Sequence, residues 1–344
     1  ATAIKDPAVM DLYARRSDAA EAVASIESLQ RTLKAGGVPL QQMMATKFVA
    51  SGQMLRRERS FENVAFQAKV VPVDRDVADN ISAIMRAISQ FDLAKEKAVA
   101  KLSKELKKEA KAASEDSSIG QAGARSTNFT SLMNNAIDQG LLCQKAEAAV
   151  QEAIAAIEQG QKPVIAVANT MDAFIGQYAE DNGLEPGDAI TISFGDVLSR
   201  YLERSRDVTI KDHEGNMTRR RMTDDELTDA ALAAYENARE IIDSTDLSAI
   251  PLSSIDYIKW RLTQAGFRVD EITGRHNIID YTDTGEQGYA RRSANETKPQ
   301  ARVEIVDQFN AGQIDVLILN RAGATGINLH SSEKFADQRQ RHLI

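Results

Sequence analysis

Thiols are almost missing from this chain: Cys143 is its one cysteine. An internal disulfide framework is thereby excluded, and the composition fits a reducing, intracellular compartment. Aromatic residues are scarce, at 5%. No apolar run approaches the roughly 18 residues that span a bilayer, so no membrane partner is expected. The first residues, ATAIKDPAVMDLYARR, lack the charged-then-apolar pattern of a signal peptide. There is no G-x-x-x-x-G-K-[ST] phosphate loop and no acidic box after an apolar strand. The acids of TDDEL at 223–227 follow KDHEGNMTRRRM, so they read as helix-start acids behind an N-cap Thr223 rather than as a Mg²⁺ site. His213, His276, His330 and His342 have no metal-ligand spacing to one another or to Cys143, and no G-x-S-x-G elbow occurs.

What is present is a chain of 344 residues, 43% apolar, long enough for two ordinary domains. Its net charge of −8 argues against a surface that attracts any polyanion. Screening over about 10 Å still leaves room for a local basic groove.

Residues 74–158 are helical in pattern, with Ile81, Ile84, Met85 and Ile88 forming an apolar stripe. Seven lysines fall between Lys95 and Lys111. Glu96, Glu105 and Glu109 interrupt them at helical pair spacing, and the run reads as a solvated helix face. Residues 114–128 read as a flexible connection, and 129–158 as a resumed helix stopped at Gly160, with Cys143 a buried spacer. A polar, acidic insertion fills 180–250, where Arg219, Arg220 and Arg221 suit a surface hairpin beside His213-Glu214-Gly215. Residues 276–300 read as a polar connection carrying Arg291, Arg292 and Lys298.

Three stretches carry buried strands. Pro163 to Ala168 is a short apolar run, after which Asn169-Thr170 leads into a helix with Phe174 and Tyr178. IPLSSIDYIKWRLTQAGFRVDEITGR, at 250–275, is a loop, a helix capped by Ser253 or Ser254, a stop at Gly266, and a strand ending in Thr273-Gly274-Arg275. Residues 303–330 begin as a helix with Val303, Ile305, Val306 and Phe309 near one face, and stop at Gly312. Val316-Leu317-Ile318-Leu319 follows without polar alternation, so both its faces should be covered, as in a parallel sheet. Gly323, Ala324, Thr325 and Gly326 come directly after it. Open α/β sheets hold ligands there, at the carboxyl ends of their strands. Such a loop brings backbone N–H groups and the Thr325 hydroxyl close to phosphate oxygens. The serine pair at a helix N-terminus offers N–H groups to a phosphate, and Arg275 at a strand end could meet one as a fork. Taken singly, these features are also a tight turn and a surface ion pair. Their order is what carries weight.

LILNRAGATGINLH at 317–330 resembles motif V of superfamily 2 helicases, in the form used by the strawberry notch family. The 250–275 text resembles the same family's "LS-ID-I---L---G--V-EITGR", and the 163–170 strand resembles motif IV. FVASGQMLRRERSFENVAFQAKVVPV, at 48–73, resembles the family segment that closes the first domain, through Arg57, Ser60, Phe61, Val64 and Phe66. There the alternation of Phe66, Ala68 and Val70 fits a strand, and Arg56, Arg57 and Arg59 read equally as a solvated run or a phosphate-facing cluster. Ala1-Thr2 resembles the end of the Ser-Ala-Thr motif of a first RecA-like domain.

The resemblance implies an α/β fold: a RecA-like parallel sheet flanked by helices, with a mostly helical N-terminal region and a polar insertion. It implies a domain tail and linker at 1–75, a helical region at 76–160, and a second RecA-like domain at 161–344, cut before motif VI. The function implied is that of the C-terminal lobe of an ATP-dependent helicase or translocase that grips a nucleic-acid backbone. Thr170, Ser253, Ser254, Arg275, Gly323 and Thr325 would contact nucleic acid, and Gly326 and Asn328 would lie near the nucleotide. Asn320 departs from the serine often found at its position, and His330 resembles a loop-fixing histidine. No catalytic residue or metal ligand is implied within the chain. ATP and Mg²⁺ are implied for an intact two-lobe protein, with nucleic acid (DNA ahead of RNA) and an N-terminal RecA-like ATPase lobe of the same polypeptide as partners. The alternative is a non-catalytic scaffold or protective module, because some family members are phage antirestriction proteins. That reading places the chain in host cytoplasm or in a virion. Without a phosphate loop or an arginine finger, which is worth roughly a thousandfold or more in rate, this chain alone should release no phosphate from ATP. A phosphate-release assay with DNA or RNA present checks this, and turnover would refute it.

Overall fold

The computed structural model describes residues 8, 10, 14, 17, 21, 23–54, 64–72, 74–112, 123–126, 129–211, 216–321, 323–324, 326–329 and 331–344. Two compact units result, Ala1–Lys69 and Val70–Ile344. In the first, helix α1 (Ile26–Ala50) starts at Ser25, whose Oγ accepts the Ser28 N–H at 3.1 Å. It breaks at Gly37, which sits at φ 58° just ahead of Pro39. Met10, Ala14, Leu29 and Leu33 form its small core. The strand expected at 66–70 is not formed: 64–72 has no strand pairing, and Val64, Phe66 and Val70 are exposed. A strand needs a neighbouring strand to receive its backbone bonds, and none is paired there among the described residues. Ala1, Thr2, Arg56, Arg57, Arg59, Ser60 and Phe61 lie outside the described residues.

The second unit opens with α2 (Arg75–Ala112). Its buried face carries the expected stripe and extends it through Phe91, Lys95, Ala98 and Leu102. Lys95 therefore leaves the solvated face on which the sequence put it. Its ammonium donates to the Ser205 carbonyl and pairs with Asp92 at 2.9 Å. Strand β1 (Gly123–Ser126) lies within the stretch expected to be a flexible connection. The 129–158 stretch divides at Lys145 into α3 (Phe129–Gln144) and α4 (Ala146–Glu158). After β2 (Lys162–Val167) and α5 (Asp172–Asp181) come α6 (Phe194–Ser205), β3 (Asp207–Lys211), β4 (Met217–Arg221) and α7 (Asp229–Ser244). Thr223 caps only a single 3₁₀ turn at 224–226, and Thr228 caps α7 by accepting the Ala231 N–H at 3.2 Å.

Sequence order separates the 75–144 helices from the 180–250 insertion, yet the fold joins them. Phe91 and Ile88 of α2, Ala136 of α3, Val197 and Leu198 of α6, and Tyr235 and Ile242 of α7 share one core. Strand β3 lies between β1 and β4 in an antiparallel three-stranded sheet beside this core. Arg219, Arg220 and Arg221 sit on the expected hairpin and pair with Asp207, Glu226 and Glu203.

The remaining elements are α8 (Ser254–Gln264), β5 (Val269–Ile272), a hairpin of β6 (Asn277–Tyr281) and β7 (Gln287–Arg291), the short α9 (Ala294–Thr297), α10 (Pro299–Asn310), β8 (Val316–Asn320) and β9 (Arg341–Leu343). The hairpin occupies the stretch expected to be a polar connection; its strands bond to each other, so no long apolar run was needed to make them. Strands β5, β8, β2 and β9 form a parallel sheet in that order. Because successive side chains alternate across a strand, Ile165, Val167, Val316 and Ile318 meet α4 and α8 on one face. Val164, Leu317 and Leu319 meet Ile305 and Phe309 of α10 on the other. The α/β sheet with helices on both sides is thus as expected. Val303 differs: it is 60% exposed, being out of step with the Ile305–Phe309 spacing of four.

Three helices end alike before three strands of this sheet. At Gly160, Gly266 and Gly312, each at positive φ, the next N–H turns back to a helix carbonyl: Gln161 to Ala156, Phe267 to Leu262, Gln313 to Gln308. At the amino edge of the sheet, buried Lys162 pairs with Asp337 and lies 4.3 Å from the Phe309 ring centroid. In the helical part, Phe91 is fully buried edge-on to Tyr235 at 5.3 Å. Phe91→Ala should lower stability by about 3–5 kcal/mol. Denaturant titration followed by far-UV circular dichroism checks this, and a change below about 1 kcal/mol would contradict the packing described.

Candidate nucleic-acid interface

Parallel strands put all their carboxyl ends at one edge. Here the loops after β5, β8 and β2 share that edge in the order β5, β8, β2, which makes the glycine loop central. Thr170 follows β2, Arg275 follows β5, and Gly323 follows β8. The three segments named from the sequence thus meet at one edge of the sheet. Sequence reasoning did not foresee what their charged groups bind.

Arg275 is 1% exposed. Its Nε donates to Glu271 Oε1 at 2.7 Å and its Nη2 to Glu271 Oε2 at 2.6 Å. The same guanidinium donates to Asp256, Nη1 to Oδ2 at 2.8 Å and Nη2 to Oδ1 at 2.5 Å. Nη1 also lies 3.4 Å from Ser253 Oγ. The fork expected to hold a phosphate therefore holds two buried carboxylates, and meeting a phosphate would require it to leave both. Ser253 and Ser254 are corrected likewise. They are 1% and 2% exposed, and Ser253 Oγ accepts the Asp256 N–H of its own helix. The reason is visible within the 250–275 text: its polar members Ser253, Asp256, Glu271 and Arg275 are one another's partners.

The cluster extends outward. Arg292 Nη1 donates to Glu271 Oε1 at 3.0 Å, Lys259 Nζ reaches Glu271 Oε2 at 3.3 Å, and Asp256 Oδ2 accepts the Ile279 N–H at 2.9 Å. Helix α8, strand β5 and the β6–β7 hairpin are thereby fastened together. Burial alone would raise the Glu271 carboxyl, but Arg275 with Lys259 and Arg292 outweighs it and holds the group well below its ordinary 4.5. Burial works against the charge on Arg275 as well, and Asp256 and Glu271 more than restore it.

The glycine loop is pinned at both ends. Asn320 Oδ1 accepts the Gly323 N–H at 2.8 Å, and Arg302 Nη2 donates to the Gly323 carbonyl at 2.6 Å. At the far end Asn310 Nδ2 donates to the Asn328 carbonyl at 3.0 Å, and Arg341 Nε to the Leu329 carbonyl at 2.7 Å. Asn320 thus has a definite task at the strand end, as the side-chain cap of the turn. Gly323 is buried, and a Cβ there would stand 2.0 Å from the Ile272 carbonyl oxygen. Close approach is required at this glycine, and what comes close is β5. Between the pinned ends Ala324, Gly326 and Asn328 are exposed. Thr325 and His330 lie outside the described residues.

Residues 253–344 match the family model described as the C-terminal domain on Strawberry notch homologue. This segment is similar to the C-terminal helicase domain of strawberry notch homologues. The match begins at the α8 cap and takes in the Arg275 cluster, the glycine loop and β9. No curated protein and no solved structure matches the chain.

Thr170, outside the matched segment, is half-buried on the loop after β2. Asp172 ties that loop to the matched segment: its Oδ1 accepts the His276 N–H at 3.0 Å and the Asn277 N–H at 2.8 Å. Asp172, Asp256 and Glu271 were missed as organisers, although the spacing of four between Glu271 and Arg275 was a usable signal. Among the described residues no group of three His, Cys, Asp or Glu side chains is arranged to hold a metal ion.

Removing Arg275 leaves buried Asp256 without a cation and takes two hydrogen bonds from Glu271, so Arg275→Met should cost about 3–5 kcal/mol in denaturant titration. A depressed carboxyl stabilises the fold above its unfolded value and loses that contribution as pH falls. Stability should therefore decline as pH drops below the ordinary 4.5 of Glu271, and decline less steeply in Glu271→Gln. Identical pH profiles for the two proteins would contradict the assignment.

Proposed function

We propose that residues 161–344 form the second RecA-like lobe of an ATP-dependent superfamily 2 helicase or translocase, gripping a nucleic-acid backbone at the carboxyl edge of its sheet. One observation carries the reading: within the strawberry notch domain, a glycine loop at that edge is fixed at both ends and exposed at its apex. A fixed loop can present backbone N–H groups to a phosphate without being ordered on binding, and Thr325 in its sequence adds a hydroxyl donor. In this reading ATP and Mg²⁺ are held by a preceding ATPase lobe. Each cycle of lobe closure and reopening would shift the loop along the track.

The burial of Arg275, Ser253 and Ser254 takes three expected contacts away from phosphate and favours a second reading, a non-catalytic RecA-like scaffold or protective module. Adding the N-terminal lobe separates the two: a motor then shows ATP turnover that rises with nucleic acid, and a scaffold does not.

Binding by the chain itself is tested by fluorescence anisotropy with labelled DNA and RNA at several salt concentrations. Affinity should fall as salt rises, and Thr325→Ala should weaken it about tenfold, the loss of one hydrogen bond to a charged group. Absence of binding to any nucleic acid at low salt would overturn the proposal.

A further inference from the structure

The loop after β2 faces α6 across an open cleft of about 780 Å³. Ligand sites span about 300–1,000 Å³, so a polymer segment fits. The walls place Thr170, Phe174 and Gln177 opposite Arg200, Tyr201 and Arg204. None of these six lies in the segment that matches the strawberry notch family.

The near wall is built to stay in place. Met171 holds φ 57°, the one non-glycine residue at positive φ among the described residues. Strain of this kind persists only where the surroundings enforce it, and it gathers at ligand sites. Here Asn169 Oδ1 accepts the Met171 N–H at 2.9 Å, and the Met171 side chain is buried. Thr170 is thereby presented at the strand end, with no hydrogen-bond partner for its hydroxyl among the described residues.

The far wall is cationic in a chain of net charge −8. Arg200 and Arg204 stand four apart on α6, so their heads share a face. Arg200 lies 5.7 Å from the Phe174 ring centroid, and its carboxylate partner Asp181, at 3.2 Å, is itself solvent-exposed. Arg204 is exposed and has no carboxylate partner among the described residues, whereas Arg206, Arg219, Arg220 and Arg221 each hold one. Asp207 and Arg219 also line the cleft and neutralise each other. Asp172 is occupied by the amides of His276 and Asn277. Among the groups facing the space are two guanidiniums, one free hydroxyl and an aromatic ring, beside neutral amides such as Asn135 and Gln177. That set suits single-stranded nucleic acid: cations for the phosphates and a π-face for a base.

We infer that a single strand held on the glycine loop continues into this cleft, with successive phosphates on Arg200 and Arg204, a sugar-phosphate oxygen on Thr170 and a base stacked on Phe174. The inference rests on the nucleic-acid reading proposed above and adds the helical part of the chain to the grip.

The test measures anisotropy of the full chain on oligo(dT) and oligo(U) of equal length across a salt series. Arg200→Gln with Arg204→Gln should flatten the slope of log K against log salt by about 1.4, since each phosphate contact on a single strand contributes about 0.7. Arg204→Gln alone should flatten it by about half as much, and it stays informative if the double variant unfolds, because Arg204 has no partner to lose. Phe174→Leu should weaken binding about tenfold with the slope unchanged, as loss of stacking would. Arg239→Gln, on the exposed side of α7, removes the same charge and should leave the slope as in wild type. A wild-type slope in Arg204→Gln and in the double variant, with binding by the wild-type protein intact, would overturn the cleft and leave the glycine-loop reading standing. Failure of the wild-type chain to bind either oligonucleotide would overturn both.

Discussion

A single guanidinium, buried between two carboxylates, governs the carboxyl edge of the central sheet. Moving such ions out of water costs several kcal/mol each, and only near-complete hydrogen bonding offsets it. Arg275 meets that condition with two bonds to Glu271 and two to Asp256. Its partners come from α8 and β5, and Asp256 and Arg292 carry the connection to the β6–β7 hairpin. The cluster therefore acts as a rivet that gives the glycine loop a rigid floor. A surface arginine in the same position would have offered a contact and no floor.

The glycine loop rests on that floor. Gly323 lies so close to the Ile272 carbonyl that no side chain fits, and the residues that hold the loop come from α10, β8 and β9. The helical part reaches the same edge by another route. Its core continues through Met171 and Ile175 into α5 and the hairpin residues Ile279 and Tyr289. A change in the packing of α2 or α7 can thus be felt at Thr170 without passing through the sheet. This continuity packs the 180–250 stretch into one core with the loop after β2.

Much of the sheet could be read directly. The unbroken apolar run of β8 implied cover on both faces, and Ile318 and Leu317 have it on opposite sides. The stops at Gly160, Gly266 and Gly312 were legible because a left-handed helix end selects glycine locally. Reading failed where structure depends on a distant neighbour. Strand β1 has no apolar signature and exists because β3 pairs with it, while 66–70 alternates well and finds no partner. Lys95 looked like one more solvated lysine until the Ser205 carbonyl, over a hundred residues on, closed over it.

By itself, the sequence determined the main helices, where three of them stop, and three of the buried strands of the parallel sheet. Those outcomes follow from near-neighbour sterics and from the periodicity with which apolar side chains recur. Only the tertiary structure decided which charges are internal fastenings and which stay unpaired. A guanidinium binds whatever anion lies within a few ångströms. For Arg275 that is Asp256, nineteen residues back, and for Arg204 it is none of the described residues.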